Sequence, residues 1–352
     1  MSAVIDSPHV DTRAKVAPSE SVWRAAAKRF ARDRVGVVSL AIVALFGLLL
    51  AASATGLVAS GWQREIGVPN APPTFVGPAA AVESVTVAEP KGPNADISAV
   101  DPLAPRYKEW EEAAKKYQTT AAKRSETLPF GGDRLGRDVL AKAVKGSGIS
   151  IVVGVSAALL ATLIGTVLGA LSGFYGGKVG DFLEWVYNVF TAIPGILLVF
   201  AFAAVFGRGI GSVVLILGLA GWTGIYRLIR AEFIKHAVRD YVRSAEAIGA
   251  GNVSRMFRHI LPNVSHVVLV QLSIYVVAFI KSEVILSYLG LGVRVDQVSW
   301  GTMIAEAQSD LILGYWWQLA AATIFMAVFV TAFSLMTDAL RDALDPKLRG
   351  LE

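Results

Sequence analysis

The chain has 352 residues, of which 54% are hydrophobic and only 17% are charged, and its mean hydropathy is +0.53. Soluble domains carry about 25% charged residues, so this composition argues against a soluble, disordered or collagen-like chain and indicates a protein that crosses a membrane several times. The net charge of +5 comes from basic residues that flank apolar runs, which is typical of a membrane protein rather than of a nucleic-acid-binding protein. The absence of cysteine excludes disulfides and cysteine-ligated metals.

The first elements in the chain are a basic tail and an apolar run. Residues 1–34 are predicted to be an N-terminal tail and residues 35–59 a first transmembrane helix. Ala52-Ser53-Ala54 resembles a signal-cleavage site. The apolar run is much longer than the 7–15 residues of a signal core, so we expect an uncleaved helix.

A polar, proline-rich segment, 60–132, follows and is predicted to be an extracytoplasmic insert. A helix is expected near 105–119, where Tyr107, Trp110, Ala114 and Tyr117 share one face at helical spacing. This face either packs on the insert itself or contacts a partner outside the membrane.

Residues 133–340 are predicted to be a core of five further transmembrane helices. A spanning helix needs about 20 apolar residues. Charge-free stretches that can hold one crossing each lie at 35–63, 146–177, 185–207, 209–226, 259–280 and 311–337. The fold class is therefore an all-α polytopic membrane protein with six transmembrane helices, closely packed through recurring glycines.

Proline and charge within the crossings mark candidate functional residues. Pro194, in the third crossing, predicts a kink that either serves packing alone or lines a translocation path. Glu283 and Lys281 are expected at the outer end of the fifth helix, because a charge at the bilayer centre costs about 2.5–3.5 kcal/mol on insertion scales. Glu283 either reaches the interface there or lines the outer gate of a path.

The distribution of lysine and arginine predicts the orientation. The N-terminal tail, the loop 227–262 and the C-terminal tail 341–352 are rich in basic residues, whereas the short loops on the opposite side hold only Arg208, Lys281 and Arg294. Basic loops face the cytoplasm, so we expect both termini there.

The loop 227–262 is the most informative segment. Its pattern predicts a helix up to Gly249, a break at Gly249 and Gly251, and a second short helix that stops near Pro262. Two short helices joined in this way would form a knob that fits a cleft on another protein and transmits force. The alternative is that the basic residues only anchor helix ends on anionic lipid.

This loop resembles the cytoplasmic coupling loop of binding-protein-dependent ABC importer permeases. The match falls on Ala245, Gly249, Leu261 and Pro262, whereas Arg243, Ser244 and His259 replace residues that are usual in that family. Motifs similar to those of the dipeptide, oligopeptide and nickel type, and of its C-type subunit in particular, lie at 130–133, 136–138, 173–177, 192–194, 283–292, 299–301 and 345–349. The resemblance covers residues 24–61 and 130–350.

The resemblance implies a type I importer permease fold with an extra outer loop, in the bacterial inner membrane. It implies transport of peptides, with a second permease subunit in a heterodimer, two ATPase subunits and an extracytoplasmic substrate-binding protein as partners. The residues that it assigns to ATPase coupling are Tyr241, Arg243, Ala245, Gly249, Arg255, Arg258, His259, Leu261 and Pro262. The sequence has no Gly-x4-Gly-Lys-Ser/Thr phosphate loop, so ATP and magnesium are expected on the partner ATPase, and neither a cofactor nor a catalytic site on this chain.

Two other classes of function stay open. An ion-coupled secondary transporter would need charges near the membrane midplane, where this sequence has few. A membrane scaffold would act through the 60–132 loop.

Overall fold

The structure, a computed structural model, describes residues 22–78, 101–116, 124–294 and 296–344. Within these ranges the chain is helical, with only isolated β-bridges among residues 65–138. The helices are α1 (Val22–Arg32), α2 (Arg34–Ala54), α3 (Tyr107–Lys116), α4 (Val139–Tyr175), α5 (Gly177–Ala192), α6 (Gly195–Phe206), α7 (Ile210–Ala237), α8 (Asp240–Ala247), α9 (Asn252–Ser254), α10 (Leu261–Tyr288), α11 (Trp300–Ile312) and α12 (Trp317–Leu344).

In the part of the chain that the structure describes, five helical rods are long and apolar enough to cross a membrane. Four of them are α2, α4, α7 and α12, and the fifth is the continuous rod Asn252–Tyr288, in which a π-helical turn joins α9 to α10. The sixth crossing is the pair α5 and α6, bent by 91°. The directions of α4 and α7, the helices before and after this pair, support the assignment. Gly165 packs on Trp222 and Gly173 packs on Arg230, so α4 and α7 run parallel. The chain between them, which includes α5 and α6, must therefore cross back through the bundle.

The third crossing is more strongly broken than the sequence predicted. Instead of one kinked helix, α5 ends at Ala192 and α6 begins at Gly195. Ile193 is extended (φ −90°, ψ 128°), as the residue before a proline prefers, and Pro194 caps α6, where no intrahelical bond needs its missing N–H.

The central helix of the bundle is α4, which contacts α2, α5, α7, α10, α11 and α12. Its glycines let α7 approach closely. A Cβ added at Gly169 would lie 2.7 Å from the carbonyl oxygen of Tyr226, and one at Gly165 would lie 2.6 Å from that of Trp222. Small residues that bring two backbones together drive helix association in membranes, so the close packing predicted from these glycines is confirmed.

The two ends of the bundle carry different segments. At one end, which we call the knob end, α8 and the π-helical turn pack against the end of α7, and α1 packs through Ala26 and Phe30 on Leu340 and Leu344 of α12. The first and last described residues therefore lie at the same end, in line with an even number of crossings. The opposite end, the insert end, carries residues 56–78 and 124–138.

The roots of the predicted insert are joined to the core rather than separate from it. Val68 donates a backbone hydrogen bond to Ser125 (2.9 Å), and Gly67 donates one to Gly136 (2.9 Å). Helix α3 confirms the helical patch predicted near 105–119, and it packs on the short 3₁₀ turn Ala104–Arg106.

Candidate coupling surface

The knob, residues 240–260, begins with α8 and a glycine turn. Gly249 has φ +91°, its N–H bonds the carbonyl of Glu246 (2.9 Å), and the N–H of Ala250 bonds the carbonyl of Ala245 (2.9 Å). These two bonds form a Schellman motif, the helix ending that favours glycine because a Cβ disfavours positive φ. The predicted break at Gly249 is confirmed, and its cause is this turn.

The prediction that a short second helix stops near Pro262 is wrong. The rod that starts at Asn252 continues through Pro262 to Tyr288. Residues Arg255–Ile260 form a π-helical turn, in which the N–H of Leu261 bonds the carbonyl of Met256, five residues back. In a regular α-helix the ring of a proline clashes with the carbonyl group one turn earlier in the chain. The wider π-helical turn provides space for the ring of Pro262, so the proline is accommodated inside the rod.

Several of the predicted coupling residues hold the knob together from within. Val242 is buried with Phe233, Met256 and Ile260 in one apolar cluster that Tyr241 and Leu261 border, and Ala245 is buried as well. The hydroxyl of Tyr241 is hydrogen-bonded to Nδ1 of His236 (2.8 Å). The knob is therefore packed against both α7 and the rod.

Arg255, another of the residues assigned to coupling, faces inward as well. Its side chain is only 15% exposed, forms an ion pair with Glu246 and lies over the ring of Phe174, 5.1 Å from the ring centre. This arginine joins α8, the π-helical turn and the end of α4.

The exposed face of the knob combines charge with apolar side chains. Four of the predicted coupling residues are exposed, namely Arg243, Gly249, Arg258 and Pro262, and a fifth, His259, is half-buried. Beside them the side chains of Ile248 (84% exposed), Val253 (66%) and Phe257 (39%) also lie at the surface. Sequence reasoning missed these three residues, although isolated apolar residues in a basic loop are a usable signal. Exposed apolar patches rimmed by polar residues mark interaction sites.

A family comparison decides what kind of protein carries this knob. The profile of the binding-protein-dependent transport system inner membrane component matches residues 165–350, a range that includes the whole knob. The chain belongs to this family. It is a multi-pass inner-membrane transport component rather than an enzyme.

Individual relatives of this permease agree with the family match. It is 35% identical to the dipeptide transport system permease protein DppC of Bacillus subtilis (strain 168) over 220 residues, which cover 62% of this chain and 69% of the relative. It is 34% identical to the oligopeptide permease protein OppC of the same organism over 238 residues, covering 66% and 78%. A solved chain of the MetNI methionine ABC transporter, in an inward-facing form, is 14% identical, with 58% of this chain and 96% of that chain covered and a TM-score of 0.48.

Glu283 of the permease is a buried residue, not an interfacial one. Its side chain has no exposed surface, and its carboxylate accepts hydrogen bonds from Ser150 on α4 (2.7 Å) and Ser287 on α10 (2.6 Å). Ser150 in turn accepts one from the backbone N–H of Trp300 (3.2 Å). The side chain of Glu283 therefore does not reach out to the membrane interface, and its role at an outer gate stays a prediction. Pro194 is exposed at the α5–α6 break and does not share a site with it.

A second buried charged cluster lies at the insert end of the permease. Lys142, 1% exposed, donates to Asp133 (2.8 Å) and also pairs with Glu306, which accepts a hydrogen bond from Gln318 (3.1 Å). Burial alone would raise the pKa of Asp133, but the charge and hydrogen bond of Lys142, with help from Arg137, hold that pKa below its ordinary value. This cluster was hard to predict from the sequence, because Lys142 borders an apolar run like any helix-end lysine.

The described residues contain no group of three or more histidine, aspartate or glutamate side chains that could hold a metal ion. Instead, the carboxylates of Asp133 and Glu306 pair with the ammonium group of Lys142, and the carboxylate of Glu283 accepts hydrogen bonds from serine hydroxyls. Each cluster therefore connects side chains from different helices.

Proposed function

We propose that this permease is one membrane subunit of an ATP-driven importer of peptides, which forms half of the translocation path with a second, different permease subunit. Two ATPase subunits would bind at the knob end, and an extracytoplasmic substrate-binding protein would deliver the cargo at the insert end. Peptides as cargo are supported by the dipeptide and oligopeptide relatives. ATP and magnesium would bind the ATPase subunits alone.

The observation that carries this proposal is the mechanical continuity from the knob into the membrane. The knob packs on α7 and leads into the rod Asn252–Tyr288, whose 37 residues span about 55 Å at 1.5 Å per residue. Near its far end the rod is fixed to α4 by the hydrogen bond between Glu283 and Ser150. A displacement of the knob would therefore move this rod as one body and change its packing on α4 and α7, which provides alternating access.

The exposed face of the knob suits an ATPase cleft. Arg243 and Arg258 supply charge, and Ile248, Val253 and Phe257 supply apolar area. Tyr241, Ala245, Arg255 and Leu261 would act in coupling by keeping the knob rigid. Gly249 would set the turn, and His259 and Pro262 would fix the start of the membrane part of the rod.

The orientation is part of the proposal. We place the knob end, and with it both termini, on the cytoplasmic side, because the basic residues of α1, of the knob and of the segment between α7 and α8 are gathered there. Since the chain has no cysteine, a single cysteine at position 248 or 312 can be labelled alone. An impermeant reagent on intact spheroplasts should label position 312 and not position 248, and the reverse pattern would overturn the orientation.

The decisive functional test changes the knob surface and keeps the fold. Ile248→Asp places a charge at a residue that is 84% exposed, and Ile312→Asp does the same at one that is 83% exposed at the insert end. We expect Ile248→Asp to abolish co-purification of the ATPase and ATP-dependent peptide uptake in proteoliposomes, with unchanged thermal stability. Ile312→Asp should retain the ATPase. Full uptake by Ile248→Asp would contradict the proposal.

A further inference from the structure

A groove of about 630 Å³ lies between α2 and α12 at the knob end. It exists because small residues line it: Ser39 on α2, and Ala327, Thr331 and Ala332 on α12. The remaining lining is almost entirely apolar, and the groove is open along one side. Its volume falls in the range of about 300–1,000 Å³ that is typical of small-ligand sites.

A single cation lines this groove. Arg34 is the first residue of α2, its side chain is exposed, and among the described residues its guanidinium has no ion-pair partner. The N-terminus of the helix is already capped by the carboxylate of Asp33, which accepts a hydrogen bond from the N–H of Val35 (2.9 Å), so the guanidinium of Arg34 is the group left to attract an anion.

The depth of the groove matches one leaflet of a bilayer. Its α2 wall runs from Arg34 to Ile42, about 12 Å at 1.5 Å per residue, whereas half of a hydrocarbon core measures about 15 Å. One turn beyond Ile42 the two helices are in contact, because the buried rings of Phe46 and Phe329 pack with their centres 5.2 Å apart. A spanning helix of another protein would need a face about 30 Å long, so the occupant that fits is a lipid tail that enters from the Arg34 side.

We propose that this groove binds one anionic phospholipid. An acyl chain would lie against Ala327, Thr331 and Ala332, and the headgroup phosphate would bind the guanidinium of Arg34. Basic pockets between transmembrane helices on the cytoplasmic side are known to bind acidic headgroups. The site is separate from the knob surface, and its occupant is not the transported cargo.

Native mass spectrometry of the full chain, purified with its partner subunits and exposed to equal amounts of dioleoyl phosphatidylglycerol and dioleoyl phosphatidylcholine, tests the proposal. We expect one retained phosphatidylglycerol. Arg34→Gln should lower the preference for phosphatidylglycerol about fivefold, the effect of one basic residue near a membrane surface. Lys178→Gln removes an exposed lysine from the same end of the bundle and should leave the preference unchanged.

A second pair of variants tests the groove itself. Ala327→Trp places a large side chain in the groove from an exposed position, and Thr323→Trp adds the same side chain one turn away, outside the lining. Only Ala327→Trp should lose the retained lipid, of either headgroup. Unchanged retention in Ala327→Trp, or an unchanged headgroup preference in Arg34→Gln, would overturn the site. So would a cross-link from a cysteine at position 38 to another protein chain.

Discussion

Replacement of Gly249 by alanine should weaken coupling without unfolding the permease. Gly249 has φ +91°, and a Cβ added there would meet no atom within 4 Å, so the entire cost of the substitution is backbone strain. That cost is about 1–2 kcal/mol for an L-residue in this region. It lowers the ratio of ordered to unwound knob by a factor of about 5–30. The apolar cluster beneath α8 stays intact, so the global melting temperature should hardly change.

The neighbouring glycine supplies a matched control for this prediction. Gly251 has φ −69° and ψ 163°, and a Cβ added there also meets no atom within 4 Å. Gly251→Ala should therefore retain ATPase co-purification and ATP-dependent uptake, Gly249→Ala should reduce both, and Gly249→Asn should be intermediate because asparagine tolerates positive φ. Equal effects of the two alanine variants would show that positive φ at Gly249 is not the cause of the loss, since the sign of φ is what distinguishes the two positions.

Three further predictions concern the membrane core and the insert end. Gly169→Ala should destabilise the protein by about 1–3 kcal/mol in thermal melts, because its Cβ would clash with the Tyr226 carbonyl, whereas Gly148→Ala on the same helix meets no atom within 4 Å and should be neutral or stabilising. Glu283→Leu should cost about 1–3 kcal/mol because the hydroxyls of Ser150 and Ser287 lose their acceptor, and Glu283→Gln should cost less; equal melting temperatures for both variants would refute this. The pKa of Asp133 is lowered in the folded protein, so the ionised carboxylate stabilises the fold at pH values above its pKa in the unfolded chain, about 3.9, and this stabilisation is lost as the pH falls further. Asp133→Asn should therefore reduce the loss of thermal stability at acidic pH. An unchanged loss at acidic pH would contradict this prediction.

The sequence predicted the crossings well because apolar runs follow membrane thickness, a local property. Their exact ends were less predictable. The predicted sixth crossing, 311–337, is interrupted at Gly314 (φ +90°), so that α11 ends at Ile312 and α12 extends from Trp317 to Leu344. Helix α11 is held by a buried Trp300, whose ring N–H bonds the carbonyl of Ala143 (3.3 Å), a contact between residues far apart in the chain.

The knob shows the same division between local and tertiary information. Its glycine turn follows from one residue type and was predicted. The inward position of Arg255 depends on Phe174 and Glu246, and the passage of the rod through Pro262 depends on a π-helical turn, so neither could be derived from the local pattern. The burial of Glu283 could not be derived from the local pattern either, because its hydroxyl partner Ser150 lies on another helix.

Photo-cross-linking from position 248 in intact cells identifies the protein that the knob contacts. With p-benzoylphenylalanine in place of Ile248 we expect an adduct with an ATPase subunit, and with the same residue in place of Ile312 we expect none. An adduct between position 248 and an extracytoplasmic protein, or an ATPase adduct from position 312 alone, would contradict the claim that the knob receives the force of ATP hydrolysis.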